Sequence, residues 1–189
     1  MSPILGIIAS ARSAAPAPNS YESIATVTGN GSSPTLSFTS IPSTFKHLQI
    51  RYIARSTGGT TGLAGIQVSA NSDTTSGNYS FHRLVGDGSS ASAYGSGSLL
   101  DYILTLSVSG NASGIYSVGV LDVLDYTSTN KGKTFRTLNG GDLNNTLGII
   151  TLRSQGWFAT PAAINRLDFT TSIGNFDSNT TFALYGIKG

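Results

Sequence analysis

Apolar and polar residues alternate along most of this chain, and Gly, Asn, Ser or Pro interrupt the alternation at intervals of roughly 8–16 residues. That pattern constrains the fold more than any other feature. Between Lys46 and Ala54, Leu48, Ile50 and Tyr52 fall on one side of an extended chain and His47, Gln49 and Arg51 on the other. The spacing predicts a half-buried strand. Tyr21–Thr28 reads as another, closed by a Gly29-Asn30-Gly31 turn whose residues tolerate positive φ. Leu36 and Phe38 alternate with Ser and Thr. Further strands are predicted at Leu63–Ser69, Leu99–Val108, Ile115–Tyr126, Lys133–Asn139, Leu147–Arg153, Ile164–Thr171 and Thr180–Ile187. Only Tyr79 to Val85 is expected to close a turn or two of helix. Ser56–Gly62, Ser69–Asn78 and Gly86–Ser98 are expected as long loops.

Many short strands in 189 residues fit an antiparallel jelly-roll-like β-sandwich, all-β, spanning residues 21–189 as one domain. Only 11% of the residues are charged, which argues against coiled coils and long exposed helices. Eleven Lys and Arg against nine Asp and Glu, scattered singly, do not make a phosphate-binding stripe, so no nucleic-acid partner is expected. Without Cys there is no disulfide, thiolate metal site or cysteine nucleophile. No apolar run approaches a membrane span, and none is expected. Residues 1–20 read as an N-terminal arm. Ile4, Leu5, Ile7 and Ile8 form an apolar tip expected to dock on other proteins, followed by an extended Ala/Pro spacer containing Pro16 and Pro18. The apolar run from Ile4 to Ala9 is too short for an export signal.

Candidate chemistry is sparse. A hydrolase triad would need His47 or His82, and neither accompanies a G-x-S-x-G elbow. Asp122 and Asp125, three apart on a strand, point to opposite faces and cannot flank one substrate; one of them is expected to pair with Arg136 or Lys133. Gly86-Asp87-Gly88 lacks the context of a phosphate loop, and Asp73 and Asp87 lack the spacing of a calcium loop. Neither metal nor cofactor is expected. Trp157 and Phe158 are the candidates for surface recognition, as an aromatic platform for sugar, set against the alternative that the Trp packs internally or at an oligomer contact.

Several stretches are similar to a family of small tailed-bacteriophage virion proteins. They are Ser2-Pro3-Ile4-Leu5-Gly6-Ile7-Ile8-Ala9-Ser10, Ser20 to Ala25, Ile41 to Arg51, Val123-Leu124-Asp125-Tyr126 with Asn130-Lys131, Trp157 before Ala162-Ala163-Ile164, and Phe182 to Lys188. The resemblance covers nearly the whole chain and is weakest from Thr57 to Ser98. It implies a non-enzymatic structural protein of the virion, assembled in the host cytoplasm, whose opening motif serves as a docking tag. Two roles stay open. One is a capsid decoration or cement protein, expected as a homotrimer bound to the major capsid protein. The other is a tail or head appendage, attached to tail or connector proteins, that presents loops to a host receptor or surface glycan.

Overall fold

Each run of alternation becomes a strand, and long-range pairing fixes the strand order. The computed structural model describes residues 20–144, 148–159 and 161–189. Among these lie β1 (Tyr21–Thr28), β2 (Thr35–Phe38), β3 (His47–Ala54), β4 (Leu63–Ala70), β5 (Tyr79–Gly86), β6 (Ala91–Ser96), β7 (Tyr102–Ser107), β8 (Ser117–Leu124), β9 (Lys133–Asp142), β10 (Gly148–Trp157), β11 (Leu167–Thr171) and β12 (Thr181–Ile187). Eight form a large sheet in the order β1-β12-β3-β8-β9-β10-β5-β6, and four a small one, β2-β11-β4-β7. All neighbours are antiparallel.

Set aside the hairpins β5–β6 and β9–β10, and the remaining strands alternate between the sheets, apart from the adjacent pair β4 and β7 in the small one, in the wrapped order of a jelly roll. The two hairpins are insertions. They pair with each other through β10 and β5 and extend the large sheet by four strands past β8.

The core lies between the small sheet and the first half of the large one. Leu48, Ile50 and Tyr52 of β3 face inward, as the alternation requires, beside Leu121 and Val123 of β8. Ile66, Val68, Leu167 and Phe169 close over them from the small sheet. Each such side chain, fully buried, contributes about 1.5–3 kcal/mol before ordering costs. At the β1–β2 turn, Asn30 Oδ1 accepts the N–H groups of Ser32 and Ser33, while Gly31 takes φ 76° at little cost.

Two expectations fail in the same region. Tyr79–Gly86 is strand β5 and not a short helix, because Tyr79 and Phe81 are buried on one side while β10 and β6 pair along its two edges. The expected loop Gly86–Ser98 contains β6, whose Ala, Ser and Gly carry little hydrophobic signal and which β5 templates through backbone bonds. The only helical element there is one 3-10 turn, Ser76–Asn78.

A buried carboxylate is expected to make the fold acid-sensitive. Asp168 of β11 is 7% exposed and accepts Arg166 at 2.7–2.9 Å and Ser37 Oγ at 2.5 Å. Burial pushes its pKa up, but the bonds from Arg166, Ser37 and Ser72 outweigh burial and hold it below the usual carboxylate range. A depressed folded pKa adds stability that is present above the unfolded value of about 3.9 and is lost as pH falls through the folded value. The urea midpoint is therefore expected to fall as pH drops below about 4, and less steeply in Asp168→Asn. An Asp168→Asn variant with an unchanged acid limb would assign that limb to other carboxylates.

Candidate protein-docking face

The middle of the inserted hairpin β9–β10 reverses the usual polarity of a half-buried sheet, whereas Phe135 and Trp157 at one end of it still face the core. On β9 and β10, Thr137, Asn139, Thr151 and Gln155 point inward and are almost fully buried. They bond to one another and to the small sheet. Thr137 Oγ1 and Asn139 Nδ2 donate to the Ile103 carbonyl at 3.0 and 3.1 Å, Thr151 Oγ1 to Asn139 Oδ1 at 3.0 Å, and Gln155 Nε2 to the Val68 carbonyl at 2.9 Å. Arg153, also inward, donates to the Tyr102 carbonyl. Burial lowers the Arg153 pKa, partly offset by Asp101. This polar layer satisfies backbone carbonyls that β4 and β7 turn toward the extension, which an apolar layer would leave unpaired.

Because side chains alternate across a strand, filling the inner positions with polar residues leaves the apolar ones outside. Across β8, β9, β10, β5 and β6, Val120, Leu138, Leu152, Leu84 and Ala93 stand directly side by side. The adjacent row carries Ile53, Val118, Gly140, Ile150 and Gly86. Leu138 is 55% exposed, Leu84 55%, Leu152 48%, Ile150 61%, Val118 56% and Ile53 41%. Scattered surface leucines need no explanation, whereas a contiguous apolar patch of this kind marks an interaction surface.

The patch has a polar margin along one side. In the third row, Arg136 NH2 meets Asp122 Oδ2 at 2.7 Å, and Gln49 Nε2 donates to Asp122 Oδ1 at 2.9 Å. Arg51 Nε in turn donates to Gln49 Oε1 at 3.0 Å. Ser154 and His82 continue this row across β10 and β5. Asp142 lies exposed at the opposite end of β9. An apolar centre with polar edges is the anatomy of a protein–protein interface.

The sequence-predicted residues fall elsewhere. Ile4, Leu5, Ile7 and Ile8 lie outside the described residues. Trp157 is not an open platform: it is 5% exposed, and its indole N–H donates to Asp73 Oδ2 at 2.8 Å. Residues 71–78 cover it because Asp73 anchors that loop, also accepting from Asn78 and Thr75. Burial raises the Asp73 pKa, and the bonds from Trp157, Asn78 and Thr75 bring it below its ordinary value. Phe158 is exposed at 48%, a single ring without the Trp face beside it. His47 Nδ1 accepts the Asp125 N–H at 2.9 Å and sits at a strand end, while His82 lies exposed in the margin of the apolar face. Asp122 on β8 takes the cross-strand pair with Arg136, whereas Asp125 lies past the end of that strand, at φ 46°, and pairs with Lys46 and Lys131 instead of pointing to its opposite face; Lys133 donates to the carbonyls of Ser128 and Lys131. Among the described residues no three His, Asp or Glu side chains cluster closely enough to hold a metal ion.

The sequence alone does not reveal this apolar face, because it locates strands without fixing which parity faces inward. The available signal was on β10, where Ile150 and Leu152 alternate with Thr151, Arg153 and Gln155, so that in the middle of the strand one side is apolar and the other polar. The chain matches no family model, no curated protein and no solved structure.

Proposed function

We propose that this chain is a non-enzymatic structural protein of a tailed-phage particle, of the capsid decoration or cement kind. Its function is contact between proteins. The observation that carries this reading is the outward apolar face of β8, β9, β10, β5 and β6, laid over a buried polar layer. A monomer working alone gains nothing from Leu84, Leu138, Ile150 and Leu152 in water. The similarity of the opening, Ser2 to Ser10, and of the ending, Phe182 to Lys188, to tailed-phage virion proteins supports placing that contact in a virion. Attachment to the particle then falls to the N-terminal arm with the sandwich, and assembly to the sheet face.

Quantitative mass spectrometry of purified particles tests the proposal. Hundreds of copies per particle are expected. A dozen or fewer would make the chain a tail or head appendage, and none would overturn a virion role altogether.

A further inference from the structure

We infer that the apolar face pairs with the same face of a second copy across a two-fold axis perpendicular to the strands. The inference rests on reading that face as a protein contact, and adds what occupies it: one second copy, in place of the homotrimer expected from the sequence. Two observations on β9 point to one register, and a third, the area of the patch, fits a pair of this kind.

The first is shape. Leu138 projects from the face, and two residues on, Gly140 leaves a hollow walled by Val118 and Ile150. The hollow is built in, since a Cβ on Gly140 would come within 2.2 Å of the Ile149 carbonyl oxygen. A two-fold axis crossing β9 between Leu138 and Gly140 sets each copy's Leu138 over the other's hollow. The second is charge. The same axis lays Arg136, two residues before Leu138, over Asp142 of the other copy, two residues past Gly140. Arg136 has a side chain 63% exposed, so it can reach across while still touching Asp122. With the axis along the strands, Arg136 would meet its own copy. The third is area. The six large side chains of the patch expose on the order of 600 Å², at the upper limit for a monomer and close to the roughly 800 Å² per partner of a standard interface once the polar margin is added.

An interface of this kind is isologous: the knob and the hollow, and the cation and the anion, both lie on one chain and answer each other in both directions. A foreign partner would need no such internal match. Two sheets stacked this way sit about 10 Å apart with strands roughly aligned, the same geometry the sandwich uses internally.

Light scattering on the full chain at about 50 µM is expected to give twice the chain mass, as an interface of this size supports. Leu138→Asp is expected to give a monomer with an unchanged far-UV circular dichroism spectrum. Arg136→Glu and Asp142→Lys are surface changes, so each is expected to fold and to weaken pairing about tenfold or more. An equimolar mixture of those two variants restores both opposite-charge contacts and is expected to recover the dimer. A wild-type monomer, a trimer, or two weakened variants that do not rescue each other would overturn the inference. A monomeric chain present in particles would overturn this inference alone, whereas a dimer absent from particles would overturn only the virion function.

Discussion

Replacing Arg55 by Ala is expected to lower the unfolding free energy by about 3–5 kcal/mol, the range for leaving buried polar partners uncompensated. Arg55 follows β3 directly, is 9% exposed, and spends its guanidinium on main-chain carbonyls of the β7–β8 connection. NH1 donates to Ala112 and Ile115 at 3.0 and 2.8 Å, and NH2 to Ser109 and Asn111 at 2.8 and 2.9 Å. One side chain thereby closes a loop that has no strand of its own. Truncation strands four carbonyls, some of which the loop can turn back to water, so the loss stays below the sum of four charge-assisted bonds. Arg55→Lys is expected to recover only part of it, since an ammonium cannot match the planar fork. Urea unfolding measures this as a midpoint shift of about 1–2 M at unchanged slope. A loss under about 1 kcal/mol would mean the carbonyls are resolvated and the clamp is incidental.

Phe182→Ala is expected to cost a similar amount, about 3–5 kcal/mol, through a different term. Phe182 of β12 is fully buried where the two sheets meet. Its ring stacks on Tyr52 at 5.2 Å between centroids with planes 12° apart, and meets Phe169 at 4.7 Å and Phe176 at 5.7 Å. Removal opens a cavity between three rings that cannot all relax into it. Tyr52, for example, donates its hydroxyl to the Thr105 carbonyl at 2.8 Å, and burial pushes its pKa up despite that bond, so the phenol stays neutral. Neighbours held by hydrogen bonds collapse poorly into a void, which places the expected cost in the upper part of the range. Phe182→Leu keeps most of the volume and is expected to cost under about 1.5 kcal/mol. Equal losses for Ala and Leu would show that ring contacts, and not filled volume, carry the stability.

The strand at Lys46–Ala54 was legible because Leu48, Ile50 and Tyr52 sit on a side that is buried outright, where periodicity and burial agree. The wrapped jelly-roll order was legible only as a class: length and strand count narrow the architecture, whereas strand neighbours are set by contacts between residues more than a hundred positions apart, such as Tyr21 with Ile187. β6 was illegible. Ala91–Ser96 forms a strand because β5 offers it a free edge, and no property of those six residues announces that. Trp157 shows the same limit from the other side, since whether an aromatic is platform or core depended on Asp73, remote in sequence, arriving to accept its N–H.

The candidate interface divides the two levels most clearly. Alternation by itself determined that Ile150 and Leu152 of β10 stand on one side and Thr151, Arg153 and Gln155 on the other, and that Leu138 of β9 stands opposite Thr137 and Asn139, because in an extended chain successive side chains must point opposite ways. It could not determine which side is buried. The tertiary structure decided that, because the Ile103 and Val68 carbonyls turn toward the extension and demand donors from Thr137, Asn139 and Gln155. Once those donors face inward, Leu138, Ile150 and Leu152 are committed to the surface by the geometry of the strand.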